Sequence, residues 1–137
     1  MRFKLPTTTS NSGANRLKSL PKVLLHDHLD GGLRPETIIE IADEIGYTNL
    51  PTNKPTELAD WYQEACDSGS LVRYLETFDH TIAVMQREQD MIRVAKEAVI
   101  DLANDGVIYA EIRVAPEHFT KQEILEFARP VRDRHSG

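Results

Sequence analysis

The sequence predicts an α/β fold with parallel strands, and three observations predict it. Residues 22–26 predict a strand whose run at residues 23–25 is apolar on both faces, which is typical of a strand buried on both sides. A second predicted strand, residues 107–114, follows a helical segment through a tight turn, as in a βαβ unit. Amphipathic helices fill the chain between them. Because a (β/α)₈ TIM barrel needs about 250 residues, this pattern predicts the N-terminal fragment of such a barrel, helix-rich and with about two barrel strands.

The composition is that of a globular domain and excludes several partners. Of the 137 residues, 40% are hydrophobic and 28% charged, and the net charge is −6. A nucleic acid or an anionic membrane surface needs a basic patch, so we expect neither partner. No apolar run approaches the roughly 20 residues of a membrane span, and residues 7–19 are too polar for a signal peptide. The single cysteine, Cys66, excludes an internal disulfide and fits a cytoplasmic protein.

Three parts are expected along the chain. Residues 1–19 are rich in Thr, Ser and Asn and predict a flexible leader. Residues 20–119 carry the predicted strands and the main helices. Residues 120–137 predict a short helix that begins with a capping box, followed by an irregular tail without apolar periodicity.

Four helices are predicted between the two strands. Pro35 begins the first and Gly46 caps its end, Thr56 caps the start of the second, and Ser70 caps the start of the third. The fourth covers residues 89–103. The predicted buried stripes are Leu71, Tyr74, Leu75, Phe78, Ile82 and Met85 on the third helix, and Met91, Ile92, Ala95, Val99 and Leu102 on the fourth.

The end of the first strand carries a candidate metal site. Strand alternation places His26, His28 and Asp30 on one face. Neutral imidazole is a zinc ligand, and a catalytic zinc usually takes three protein ligands, so two histidines make an unfinished site. A chance pair is the alternative in a chain with five histidines. The position at the carboxyl end of a buried strand, where barrel active sites lie, favours the metal.

Several polar and aromatic residues allow two interpretations each. Asp30 precedes two glycines, so its carboxylate could bind a substrate hydroxyl or orient a ligand histidine, or bond to amides of a turn. Glu111 and Arg113 share one strand face, and a structural salt bridge is slightly favoured over an ion pair at the barrel mouth. Tyr74 and Phe78, four residues apart, are core residues or an apolar wall over a flat heterocycle.

The remaining histidines are weaker candidates. His118 could be a metal ligand, although a surface position is favoured, and no role is assigned to His80 or His135.

Missing motifs exclude other kinds of site. The sequence has no C-x-x-C or H-x-E motif, which excludes the cytidine-deaminase type of zinc site. It has no glycine-rich phosphate loop and no G-x-S-x-G nucleophile motif.

Residues 20–31 (LPKVLLHDHLDG) resemble the first-strand signature of the adenosine deaminases, a family of the metal-dependent amidohydrolase superfamily. Residues 71–78 (LVRYLETF), the helix that ends at 104–106, and residues 107–116 (VIYAEIRVAP) are similar to the bacterial members. The resemblance covers roughly residues 20–119, and its two strand motifs occur in the family's order.

This resemblance implies a (β/α)₈ barrel that binds one Zn²⁺ at its C-terminal mouth. It implies that His26 and His28 are metal ligands and that His28 and Asp30 bind substrate, with Tyr74 and Phe78 in an apolar lid over the purine. The implied reaction is hydrolytic deamination of adenosine or deoxyadenosine to inosine and ammonia. A zinc-activated water attacks the purine, and a glutamate transfers protons to the ring.

The family's remaining catalytic groups match no residue of this sequence. They are a third histidine ligand, an aspartate ligand, the proton-transferring glutamate and a base histidine, all on later strands. We therefore expect an N-terminal fragment with no catalytic residue of its own and no activity alone. The alternatives are a deaminase of another aminopurine and a non-catalytic helical or regulatory module.

Overall fold

The computed structural model describes residues 20–119. The leader predicted for residues 1–19 and the helix and tail predicted for residues 120–137 lie outside this range. The elements are β1 (Lys22–His28), α1 (Pro35–Ile45), α2 (Pro55–Asp67), α3 (Leu71–Val84), α4 (Glu88–Asn104) and β2 (Val107–Arg113), with single 3₁₀ turns at Leu29–Gly31 and Pro116–Phe119. This order confirms the predicted α/β class. None of the helices in the described range is long and apolar enough to span a membrane.

The two strands form a parallel pair joined through the four helices. Lys22 lies opposite Val107 and His28 opposite Arg113. The register shifts twice along β1, once after Lys22 and once between Leu24 and Asp27. Because the strands are parallel, their carboxyl ends meet at the same edge of the sheet, which is where polar side chains follow β1.

Local sequence signals set most of the helix ends. Gly46 ends α1 in the left-handed conformation, with φ of 69°, and the Ser70 side chain accepts a hydrogen bond from the Arg73 backbone N–H at the start of α3. Both predictions are confirmed. The Thr56 cap is wrong, because α2 begins one residue earlier at Pro55. Proline suits the first helical position, where its missing N–H is not needed.

The hydrophobic core lies among the helices and not against the sheet. Its buried members are Leu29, Ile38, Ile41, Ala42, Leu58, Tyr62, Val84, Met85, Val94, Ala98 and Phe119. The strand expected to be buried on both faces is instead open, with Val23 and Leu25 exposed to 58% and 60%. Nothing else in residues 20–119 pairs with the sheet, so its apolar side chains lack a covering layer.

The buried face of α3 differs from the predicted stripe. Met85, just after the helix, is buried as predicted, but Leu71 and Leu75 are exposed. Thr77 and Thr81 are buried in their place, and each hydroxyl donates to a carbonyl one turn earlier in the helix. With their hydroxyls satisfied locally, the threonines present methyl groups to the core.

The predicted stripe of α4 is also partly wrong. Leu102 is buried, and Met91 and Ala95 are half-buried against the core. Ile92 and Val99 are exposed. The buried positions are Asp90, Val94, Ala98 and Leu102, which recur every four residues.

Ion pairs join α1 to α4 on the outside of this core. Arg34, the residue just before α1, donates two hydrogen bonds to the carboxylate of Asp101, at 2.9 Å from Nε and 2.6 Å from Nη2. Arg93 donates to Glu40 of α1 and to Glu97 of its own helix at 2.6 and 3.0 Å. Hydrogen bonds to these carboxylates raise the pKa of both arginines.

Candidate active site

A cleft of about 630 Å³ lies between the carboxyl ends of the strands and one side of α3. Its lining residues are His26, Asp27, His28, Asp30, Gly31, Tyr74, Leu75, Phe78, Asp79, Ile82, Ala115 and His118. A larger cavity of about 850 Å³ near the starts of α1 and α2 shares Asp27 and His28 with this cleft but includes neither His26 nor Asp30. The smaller cleft is therefore the one that gathers the candidate residues.

The two histidines of β1 are brought together by an irregular strand. His26 has φ of 58°, the only positive value among the non-glycine residues described, and it lies where the register with β2 shifts. Strand irregularities of this kind re-aim side chains near functional sites. The ring centres of His26 and His28 are 5.2 Å apart. Two imidazoles on one tetrahedral zinc, with Zn–N bonds of about 2.0–2.1 Å, have centres roughly 5 Å apart.

These two imidazoles fit a zinc ion as two of its ligands. Within residues 20–119, no group of three or more His, Cys, Asp or Glu side chains is arranged to hold a metal. A catalytic zinc needs about three protein ligands, so the two histidines do not complete a zinc site within the described residues.

Asp30 is buried beside the histidines with an unused acceptor. It is 5% exposed in the 3₁₀ turn after β1, and its Oδ1 has no hydrogen-bond partner in the described part of the chain. The Nδ1 of His28 lies 3.8 Å from this oxygen. A turn aspartate would bond to nearby amides, and Oδ1 makes no such bond within the described residues.

Aromatic residues of α3 form the opposite wall of the cleft. Tyr74 and Phe78 contact each other edge to face, with ring centres 5.4 Å apart, and both line the cleft with Leu75 and Ile82. Neither ring belongs to the helical core. Of the two interpretations of this pair, the structure supports the apolar wall.

The charged pair on β2 does not form. Glu111 accepts a hydrogen bond from the Tyr109 hydroxyl at 3.1 Å, and no salt bridge in residues 20–119 joins it to Arg113. Both ion-pair interpretations are therefore wrong.

The exposed His118 lines the cleft, and its backbone carbonyl accepts a hydrogen bond from the Gln86 side chain at 3.0 Å, which ties its loop to the end of α3.

Two residues near the cleft were missed by sequence reasoning. Asp79 adds a carboxylate to the α3 wall. His80 lies behind that wall, with its Nδ1 2.9 Å from the Tyr47 hydroxyl and its ring 5.3 Å from that of Trp61. Burial lowers the pKa of His80, and the charge of Asp79 partly opposes this. No signal in the sequence pointed to His80, because the burial of Thr77, three residues before it on the same helix, was not predicted either.

Comparison with known proteins settles the family. A family model described as adenosine deaminase matches residues 21–131. The chain belongs to the adenosine deaminase family. Adenosine deaminase 1 of Streptomyces coelicolor is 58% identical over 113 residues, which are 82% of this chain and 28% of that protein. The adenosine deaminase of Mycobacteroides abscessus is 62% identical over 97 residues, 71% of this chain and 27% of the relative. The chain thus spans little more than a quarter of the length of these relatives.

Solved structures of deaminases share the arrangement of the described residues. The crystal structure of arabidopsis N6-mAMP deaminase MAPDA aligns with a TM-score of 0.57 and 30% identity, over 74% of this chain and 29% of that one. Arabidopsis ADAL complexed with GMP aligns with a TM-score of 0.54 and 29% identity, over 73% and 28%. The two parallel strands and their helices therefore correspond to one part of a barrel-type deaminase.

Proposed function

We propose that residues 20–119 supply two zinc ligands and part of the substrate pocket of a zinc-dependent adenosine deaminase. The reaction is hydrolysis of adenosine or deoxyadenosine to inosine and ammonia. The observation that carries the proposal is the pair of imidazoles, 5.2 Å apart, in a cleft that also holds the unpartnered oxygen of Asp30. The identity of 58% to a curated adenosine deaminase supports it.

In this proposal His26 and His28 bind zinc as neutral imidazoles. A bound zinc lowers the pKa of a coordinated water and so provides a nucleophile at neutral pH. The irregular backbone at His26 holds the two rings at the mouth of the strand before any ligand arrives. No proton-transferring group is assigned to residues 20–119.

Asp30, His28 and the α3 wall bind the nucleoside. The free Oδ1 of Asp30 accepts a hydrogen bond from a ribose hydroxyl, which is favourable because an unmet buried acceptor is costly. Tyr74 and Phe78 cover the flat purine with apolar surface.

The charges of the cleft favour a nucleoside over a nucleotide. Three of the lining residues are aspartates, Asp27, Asp30 and Asp79, and no lysine or arginine among residues 20–119 lines this cleft. Carboxylates repel a phosphate and so weaken its binding, whereas phosphate sites usually present basic groups. The N6-mAMP deaminase among the similar structures makes a phosphorylated or N6-methylated purine the second candidate substrate.

The single cysteine is consistent with action in the cytoplasm.

The first test uses the 137-residue chain itself. We expect no loss of adenosine after addition of Zn²⁺, because the chain offers two histidine ligands and no assigned general acid or base. Turnover close to that of a full-length adenosine deaminase would contradict this expectation.

A graft gives the positive test. Residues 20–119 replace the corresponding segment of Streptomyces coelicolor adenosine deaminase 1, and zinc content and deamination of several aminopurines are measured. We expect bound zinc, a preference for adenosine over AMP, and loss of both zinc and activity on His26→Ala. Glu76→Ala, an exposed change on α3 outside the cleft, is the control and should retain both. A graft that folds but holds no zinc would favour a non-catalytic module.

A further inference from the structure

Three aromatic rings from three parts of the chain meet behind the wall of the cleft. The Nδ1 of His80, on α3, lies 2.9 Å from the hydroxyl of Tyr47, which follows α1. The ring centre of His80 is 5.3 Å from that of Trp61 on α2 and 6.0 Å from that of Tyr47. His80 does not line the cleft itself. We call His80, Tyr47 and Trp61 the ring cluster.

Local backbone structure holds Tyr47 in this cluster. Gly46, in the left-handed conformation, donates its N–H to the carbonyl of Asp43 at 3.2 Å. The N–H of Tyr47 donates to the carbonyl of Ala42 at 2.8 Å. These two bonds form the Schellman motif, which folds the residue after the glycine back onto the end of the helix. Tyr47 is therefore attached to α1.

Trp61 is attached to the hydrophobic core. Its ring contacts that of the fully buried Tyr62 edge to face, with ring centres 5.1 Å apart. Both Trp61 and Tyr47 also pack against the buried cluster from its outer side. The two partners of His80 thus belong to the rigid part of the helical layer.

His80 connects these partners to the helix that carries the aromatic wall, which consists of Tyr74 and Phe78. His80 follows Phe78 by two residues, and Asp79 between them lines the cleft. Because hydrogen bonds hold each turn of an α-helix together, a displacement of His80 is transmitted to the rings one or two turns earlier. Helix α3 contacts both α1 and α2, and the ring cluster lies at that junction.

The neutral form of His80 suits the ring cluster. The Tyr47 hydroxyl can donate to Nδ1 only when that nitrogen carries no proton. Burial and the charge of Asp79 raise the pKa of Tyr47, so its hydroxyl keeps its proton. Burial lowers the pKa of His80, Asp79 opposes this, and no other charged side chain of residues 20–119 shifts it. The groups that face His80 from the neighbouring elements, the phenol of Tyr47 and the indole of Trp61, are uncharged.

We propose that His80 is a positioning residue of the cleft: in its neutral form it anchors the aromatic wall to α1 and α2, and protonation releases this anchor. A proton on Nδ1 removes the acceptor of the Tyr47 hydroxyl and places a cation in a half-buried site, which favours movement of the ring towards water. The inference deepens the proposed function and rests on it, because Tyr74 and Phe78 are the surface assigned to the purine.

Hydrogen exchange of the 137-residue chain tests the anchor without any substrate. Mass spectrometry follows the backbone amides of α3 and α4 at pH 7.5 and pH 5.5, with each rate corrected for the intrinsic effect of pH. We expect the protection of α3 to fall about threefold or more relative to that of α4 at the lower pH, because the anchored state loses a hydrogen bond. Trp61, the single tryptophan of the chain, gives a second readout, since its fluorescence should be quenched by a protonated imidazole beside it.

Two substitutions separate the charge of His80 from its size. His80→Gln is neutral at either pH and should remove the pH dependence of α3 protection. His80→Lys is charged at either pH and should lower the protection already at pH 7.5. His118→Gln, at the exposed histidine that lines the cleft, is the control and should leave the pH dependence unchanged.

Circular dichroism checks that the variants have the same helix content as the parent chain. If His80→Lys unfolds, the parent chain and His80→Gln alone decide. Equal loss of protection in α3 and α4, or a pH dependence that persists in His80→Gln, contradicts the proposal.

The graft distinguishes this proposal from the proposed function. In the graft at pH 7.5, His80→Lys should raise the KM for adenosine about threefold or more, with zinc content and kcat little changed, because it weakens binding and not chemistry. If α3 loosens without a change in KM, the anchor is retained and the purine wall is contradicted. If the graft is active but α3 protection does not depend on His80, the anchor alone is contradicted.

Discussion

Two buried aspartates have opposite surroundings in this chain. Asp30 and Asp90 are exposed to only 5% and 4%. Asp90 accepts two hydrogen bonds from Arg87, at 2.6 and 2.9 Å, and these bonds raise the pKa of that arginine. The Oδ1 of Asp30 has no hydrogen-bond partner among the described residues, and the Nδ1 of His28 lies 3.8 Å from it. A buried oxygen without a hydrogen bond opposes folding.

Matched amide substitutions separate these two roles. Asp30→Asn should leave the melting temperature unchanged or raise it slightly, because it removes a buried charge without breaking a bond. Asp90→Asn should lower the melting temperature by several degrees, because it weakens the pair with Arg87. Thermal unfolding followed by circular dichroism measures both in the 137-residue chain. A larger loss for Asp30→Asn than for Asp90→Asn would contradict the assignment.

His80 gives the stability a pH dependence with a defined sign. Burial lowers the pKa of His80 in the folded chain below the ordinary value of 6.5. The unfolded chain therefore binds a proton more readily, and folding must exclude that proton. The contribution of neutral His80 is fully present above about pH 6.5 and is lost as the pH falls through its folded pKa.

The prediction is that His80→Gln flattens the decrease in melting temperature between pH 7.5 and pH 5. Tyr47→Phe serves as the control. It removes the hydroxyl 2.9 Å from Nδ1 but leaves the imidazole buried, so the decrease should persist. If Tyr47→Phe abolished the dependence and His80→Gln did not, burial of the imidazole would not be its cause.

At the scale of elements, α3 shows how an apolar stripe can belong to a cleft and not to a core. Leu75 and Met85 lie on the stripe predicted from periodicity, yet Leu75 is 52% exposed and Met85 fully buried. The side of α3 that faces the helices carries Thr77, Thr81 and Val84. Helical periodicity identifies an apolar face, but it does not identify what covers that face.

Truncation of these two residues should have very different effects. Met85→Ala removes a fully buried side chain and should lower the free energy of unfolding by about 2–5 kcal/mol. Leu75→Ala should change it by less than about 0.5 kcal/mol, as expected for an exposed position. Urea unfolding of the 137-residue chain gives both values. Equal losses of unfolding free energy would place Leu75 in the core and would contradict its position in the wall of the cleft.

The sequence predicts the elements better than it predicts their surroundings. Pro35, Gly46 and Ser70 mark helix ends through local backbone chemistry, so their effects are readable without a structure. Strand alternation predicts the grouping of His26, His28 and Asp30, but the structure reaches it differently, with a positive φ at His26 and with Asp30 in the 3₁₀ turn after the strand. The irregularity at His26 accompanies a register shift between strands whose paired residues are 85 or 86 apart in sequence, which no local pattern encodes.

At the scale of the whole molecule, the exposed side chains and open edges of the two strands determine how the purified chain is expected to behave in solution. Val23, Leu25 and Ile108 are each more than half exposed, and both strands of the sheet have an open edge. We expect the purified 137-residue chain to bind the dye ANS strongly and to aggregate on concentration. Fluorescence and light scattering check this. A protein that stays monomeric on concentration and binds no dye would contradict it.

The position of the core has a consequence for the order of folding. The buried cluster of the described residues runs from Leu29 to Phe119 and draws on four consecutive helices. Helix α2 packs against both of its neighbours along the chain, α1 and α3. Contacts between such neighbouring helices form quickly, whereas parallel strands far apart in sequence pair slowly. The helical layer is therefore expected to form before β1 pairs with β2.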